Sequence, residues 1–255
     1  MSPQTTNPAA ANGESADAKA DRAWRKRRAA SRHGLLLAWC IWLIISWTAT
    51  LATETIKIAA TVMMPLSALI GLMVMWPMLR LSQQFEPRAT APDTRSRTGP
   101  GHQVGIFREW LQLNLVFQAV IWPLMLNAQW TVEQTAWLDV TIAAWSLLAA
   151  LIVDWGCHSN SGWVRMAAMI GCLLLLFAEP AVMGLVNMMA APGSPISWSM
   201  KISPLRVIWD MTRQFGAGRF QEHIPLVVAA AAAGVVGWVA RSLYRRQLGG
   251  RPDRG

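Results

Sequence analysis

Charge and reactive side chains are what this sequence has least of. Only 15% of its 255 residues are charged, well short of the quarter or more that clothes a soluble surface. Cysteine occurs three times, as Cys40, Cys157 and Cys172, and the wide spacing supports neither a disulfide framework nor a ligand set, so the three read as small apolar residues. The four histidines, His33, His102, His158 and His223, never fall at ligand spacing within one apolar run. That excludes an H-E-x-x-H zinc site and argues against haem ligation. A GxxxxGK[ST] loop is missing too, so any use of ATP has to come from another chain. Ser161 stands near His158, but a polar turn accounts for both without a nucleophile and its base. The expectation is a protein with no catalytic residues, no metal and no cofactor.

What the sequence has in abundance is apolar residues, 53% of the total, together with fifteen Trp. They come in blocks near the roughly 20 residues needed to cross a hydrocarbon core. Lipid offers no partner to a backbone N–H or C=O, so such blocks are expected to be helices. The reading is an all-α polytopic bundle of about six transmembrane helices, at about 34–52, 58–79, 111–130, 136–153, 166–189 and 224–240. Pro65 and Gly71 within the second span are expected to mark a bend. A Pro- and Arg-containing linker over 80–110 joins spans two and three, with a short interfacial helix starting at 106–110. Residues 1–33 form a polar, then basic, tail, and 247–255 a second tail.

The excess of 23 Lys+Arg over 14 Asp+Glu resembles the balance of a nucleic-acid binder, but its placement argues otherwise. Most of the cations flank apolar blocks, as the positive-inside rule requires of cytoplasmic ends. With both termini, the 80–110 linker and the 154–165 loop placed inside, only Lys57, Lys201, Arg206, Arg213 and Arg219 lie outside, leaving 18 of the 23 within. The expected partner of this charge is anionic membrane lipid; nucleic acid is not expected. A basic head without a sorting signal fits the inner membrane of a bacterium.

Polar residues inside the spans are the candidate functional positions, because each is costly in lipid unless it pairs. Gln112, Asn114 and Gln118 recur near one face of span three. Asp139 lies about a turn inside span four, and Glu179 lies well inside span five, followed by Pro180. Glu179 is expected to meet a span-three amide or a base such as Lys201. Ala229, Ala233 and Gly237 share a face of span six, as do Ala230 and Gly234, and small residues at this spacing let another helix approach closely. Between spans five and six, Ser203 is placed to cap a helix with Pro204 at its first position. Over 203–215, Leu205, Ile208, Trp209 and Phe215 recur opposite Arg206, Asp210 and Arg213. This short helix is expected to lie in the membrane interface.

The succession Ile202-Ser203-Pro204-Leu205, an amphipathic helix, a Pro-started last span and Arg241-Ser242-Leu243-Tyr244-Arg245-Arg246 resembles the C-terminal end of type-2 ABC exporter permeases. The resemblance covers the last 55 residues and the overall topology. It implies six spans with both termini inside, short helices at the outer surface between spans five and six, assembly as a homo- or heterodimer and pairing with a cytoplasmic ATPase. The alternative reading is a non-transporting anchor or assembly subunit, holding partners through its basic tails and small-residue faces.

Overall fold

The computed structural model describes residues 33–49, 57–82, 100–159, 161–189, 203–213 and 219–249. The tails expected at 1–33 and 247–255, most of the 80–110 linker, Lys201 and Phe215 lie wholly or largely outside them. Two compact units are distinguished, Met1–Ala38 and Trp39–Gly255. The first contributes only the opening turns of one helix to the described residues; the second holds the remaining helices.

All the secondary structure among the described residues is helical. Helix α1 is His33–Ala49. α2 starts as Lys57–Ile70, passes through a π segment, Gly71–Met75, and ends as Trp76–Ser82. α3 is Pro100–Ala128, α4 Val132–His158, α5 Gly162–Met189 and α6 Pro204–Arg213. A 3-10 turn, Arg219–His223, leads into α7, Ile224–Gly249.

Among the described residues, four stretches are long and apolar enough to cross a membrane: Val62–Ser82, Val132–His158, Gly162–Met189 and Gln221–Tyr244. Of the two other expected spans, α1 is apolar but shorter. α3 is long enough, but Gln112, Asn114 and Gln118 dilute it. It also begins at Pro100, so the second half of the expected linker is helix.

α4 organises the bundle. Buried residues occur on every side of it, from Thr135 through Trp145 to Gly156, and it packs against α2, α3, α5, α6 and α7. By contrast α5 buries only Arg165, Ala168, Cys172 and Leu176, a single stripe at helical spacing. Its remaining surface, including Leu174, Phe177, Val182 and Leu185, is exposed, as suits a helix facing lipid. α3 shows a similar stripe, Ile106, Leu113, Phe117, Ile121 and Leu124, all buried.

Turn chemistry fixes the ends of α4. Gln129 adopts φ 55° just after α3, and the Trp130 N–H donates to the Met125 carbonyl at 3.2 Å, closing α3 with a Schellman-type turn. Thr131 then caps α4 in a reciprocal box with Gln134, at 3.1 and 3.0 Å, satisfying two otherwise orphan N–H groups. At the other end the helix continues to His158. The loop expected over 154–165 is therefore shorter, lying between His158 and Gly162. Gly156 and Cys157 belong to the last turn of α4, and the reason lies in packing: a Cβ at Gly156 would stand 2.7 Å from the Ala168 Cβ and 2.9 Å from Leu81. The glycine is a meeting point of α2, α4 and α5 rather than a turn residue.

Glycine serves the same purpose elsewhere. Gly71 opens the π segment where a bend was expected, and a Cβ there would collide with Trp39 and come within 2.9 Å of the Trp42 indole nitrogen. Both indoles are held in place, Trp39 donating to the Leu113 carbonyl and Trp42 to the Ser67 carbonyl, each at 3.0 Å. On α7 the contact face is Ala230, Gly234 and Gly237. Ala230 is buried, Gly234 lies against Leu147, and Gly237 lies against Leu151. Ala229 and Ala233, expected on that face with Gly237, are exposed, because Leu147 and Leu151 stand one turn apart on α4 and meet the two glycines.

The apolar side of the short helix α6, expected to lie in the membrane interface, is packed against other helices. Pro204, Val207, Ile208, Met211 and Thr212 are buried, and the helix packs against α2, α4 and α5. Leu205 and Trp209, expected in the interface with Ile208, are only half-buried.

Substituting Gly71 by Ala is expected to destabilise the protein, because overpacking against two fixed indoles, at about 1–3 kcal/mol, outweighs the gain in helix propensity of about 1 kcal/mol. Gly184→Ala, where nothing lies within 4 Å of the new Cβ, is expected to be neutral or stabilising. Thermal unfolding in detergent checks both signs.

Candidate functional site

Polar side chains gather in three places. The first is the seam between α3 and α4, where Gln118 donates from Nε2 to Asp139 Oδ2 at 3.0 Å. One turn along α3, Asn114 is nearly fully buried and donates from Nδ2 to the Trp110 carbonyl at 2.9 Å. A further turn along, the Trp110 indole donates to Ser146 Oγ at 2.9 Å. Three of the five polar residues singled out from the sequence, Asn114, Gln118 and Asp139, thus lie along one seam.

Glu179 stands apart from them. Its Oε2 accepts a short hydrogen bond from the backbone N–H of Ser203, directly before α6. That N–H is one of the orphan donors of a helix start, and the positive end of the helix dipole favours a carboxylate there. The Ser203 hydroxyl donates to the Leu176 carbonyl at 3.1 Å rather than capping its own helix. The expected span-three partner for Glu179 is replaced by the start of α6, which is thereby tied to α5. Thr141 of α4 adds a contact to Met211 Sδ at 3.6 Å. Asp210 of α6 faces His223 at 3.7 Å and Arg206 at 3.8 Å.

The third place is the opposite end of α4, and sequence reasoning missed it. Asp154 is fully buried and makes a close ion pair with Arg241 of α7, through Oδ2 and Nε. The same guanidinium donates to the Asp154 carbonyl at 3.3 Å. His158 Nδ1 lies 2.6 Å from that carbonyl and 3.4 Å from Asp154 Oδ1. Beside this pair Arg80 of α2 meets Glu109 of α3 at 3.1 Å, and Arg165 of α5 donates to the Ser159 carbonyl at 3.3 Å. Cys157 lies within electrostatic reach of Arg80, Asp154, Glu109 and Arg165, so the two pairs form one junction. Each of α2, α3, α4, α5 and α7 supplies a charged group to it.

From the sequence, Arg80, Arg165 and Arg241 were flanking cations and Asp154 the end of a span. The available signal was two acids, Glu109 and Asp154, set among helix-end arginines. Three guanidinium groups against two carboxylates make the junction a fastening for helix ends. Among the described residues no group of three or more His, Cys, Asp or Glu could hold a metal ion.

Comparison with known protein families, with characterised proteins and with solved structures finds no match to this chain. The functional reading therefore rests on the geometry of the three polar clusters.

Removing one partner of a buried ion pair leaves the other charge stranded, at a cost of about 3–5 kcal/mol. Asp154→Leu is expected to lose that much. The double variant Asp154→Leu/Arg241→Leu is expected to lose less than the sum of the two single changes. Denaturation midpoints in detergent measure the coupling, and strict additivity would show that the pair does not fasten α7 to α4.

Proposed function

We propose that this chain is the membrane subunit of an ABC-type export system, a multi-pass permease worked by a separate cytoplasmic ATPase. The observation that carries the reading is the position of α4 between two fastened ends. At one end the Asp154–Arg241 ion pair joins it to α7, and the Arg80–Glu109 pair joins α2 to α3 nearby. Toward the other, α4 touches α6 through Thr141 and Met211. α6 is a buried helix between the last two long helices, held to α5 by Glu179. A displacement of the junction by a partner passes along α4 to α6 as motion of a packed rod. In this reading the junction faces the cytoplasm, α1 and α3 complete six spans, both termini are inside and the membrane is a bacterial inner one.

A second reading, a membrane anchor or assembly subunit, is favoured by the bare surface of α5, whose exposed Leu174, Phe177, Val182, Leu185 and Met188 suit a lipid or protein neighbour equally. The two readings part over energy coupling.

Co-expression with a P-loop ATPase encoded beside this chain, followed by gentle extraction, is expected to yield a complex whose ATP turnover exceeds that of the ATPase alone. Asp154→Leu is expected to abolish that stimulation. A chain that purifies alone, or a reporter fused after Gly216 that reads cytoplasmic, would overturn the permease reading.

A further inference from the structure

Asp139 lies seven residues into α4, about 10 Å from its start at 1.5 Å per residue, within a helix apolar enough to cross a membrane. A carboxylate there needs a compensating positive charge, because low-dielectric surroundings penalise an isolated ion far more than a paired one. Among the described residues the structure provides only a neutral partner, Gln118 Nε2 on Oδ2. The other carboxyl oxygen, Oδ1, is buried and accepts no hydrogen bond.

Among the described side chains of the neighbouring elements, Arg108 of α3 and Glu222 before α7 are exposed, and the remaining charged groups are engaged elsewhere. On α6, Arg206 pairs with Asp210, and His223 reaches the same carboxylate from the turn before α7. Arg80 and Glu109 pair with each other where α2 meets α3. On α7, Arg241 belongs to Asp154 at the far end of α4, and α5 contributes Arg165 there and Glu179 on the start of α6. Glu133, on α4 itself, is exposed.

A second buried acceptor lies on α3, the helix that carries Gln118. Asn114, one turn from Gln118, commits its Nδ2 to Trp110, while its Oδ1 is buried without a hydrogen-bond partner. Two oxygens of one seam, one of them a carboxylate's, therefore lack a donor. Glu179 differs, since its Oε2 has a backbone N–H and the positive end of α6 to offset its charge.

We propose that Asp139, with Gln118 and Asn114, forms a binding site for a single positive charge, a proton or a sodium ion, in the α3–α4 seam. The ligand chemistry follows from the donor set. A divalent ion such as calcium takes six or more oxygens, typically with several carboxylates, whereas one carboxylate and two amides match one unit of charge. Loading the site neutralises Asp139 and supplies the partner its Oδ1 lacks. Emptying it restores a charge that the seam opposes, so occupancy shifts the packing of α3 on α4. The site is independent of the ATPase assignment, and its test requires no ATPase.

The full-length protein in lipid nanodiscs is treated with dicyclohexylcarbodiimide, which modifies protonated carboxyls in apolar surroundings, and the modified peptides are quantified by mass spectrometry. Asp139 is expected to be modified more than Glu179. If the ligand is a proton, modification falls about tenfold per pH unit above the titration midpoint and ignores sodium. If it is sodium, sodium chloride at fixed pH suppresses the modification and choline chloride does not. Gln118→Leu and Asn114→Leu are each expected to move the midpoint or weaken the sodium protection. Absence of modification at Asp139 across the pH range, modification that responds to neither pH nor sodium, or profiles unchanged in both variants would each overturn the proposal.

Discussion

Close approach of helices to α4 is the interaction on which the rest of the structure depends. In lipid there is little hydrophobic gain from pressing one apolar helix on another, so cohesion comes from van der Waals contact and from polar pairs. Contact requires surfaces that let backbones come near. Gly156 provides this on α4 itself, meeting Ala168 and Leu81, while Gly234 and Gly237 provide it on α7, against Leu147 and Leu151. With these in place α4 is buried over most of its surface, Val140 and Trp155 being exposed, and α5, which offers only one stripe, stays at the periphery.

Polar pairs then set which helices are joined and where. Interhelical hydrogen bonds in membranes contribute on average about 0.6 kcal/mol each, so Gln118–Asp139 and Trp110–Ser146 specify the register of α3 on α4 more than they stabilise it. The junction around Asp154 is different in kind, because a fully buried carboxylate without Arg241 would be strongly destabilising. α6 is fixed by the same economy of partners. Glu179 supplies the acceptor for its first N–H, and its apolar side is buried against its neighbours.

Much of the architecture was legible in the sequence, since apolar blocks of spanning length can only be helices. The start of α6 at Pro204 follows from local chemistry too, whereas α4 starts at Val132, four residues before the 136 expected. Other features were not legible, because they depend on what a residue meets across the bundle. Gly156 carries turn chemistry in sequence, and only the presence of Ala168 and Leu81 shows that it belongs inside a helix. The choice between Ala229–Ala233 and Ala230–Gly234 as the packing face of α7 is set by Leu147 on another helix. Likewise Asn114, Gln118 and Asp139 were recognisable as polar residues needing partners, but their sharing of one seam, and the separation of Glu179 from it, came from the packing. The ionic junction was hidden because its arginines sit where the positive-inside rule already accounts for them.

If α4 is the shielded axis of a membrane-embedded bundle, lipid must reach the peripheral helices and not α4. A lipid-soluble photoactivated carbene probe, mapped peptide by peptide in protein reconstituted into lipid, measures this directly. Heavy labelling is expected on α5 around Leu174, Phe177, Val182 and Leu185 and on α7 at Val228, Val235 and Val236, whose side chains are exposed. Little is expected at Leu138, Ile142, Ala149 and Val153 of α4, which are buried. Labelling of those α4 positions as heavy as that of α5 would contradict a shielded α4.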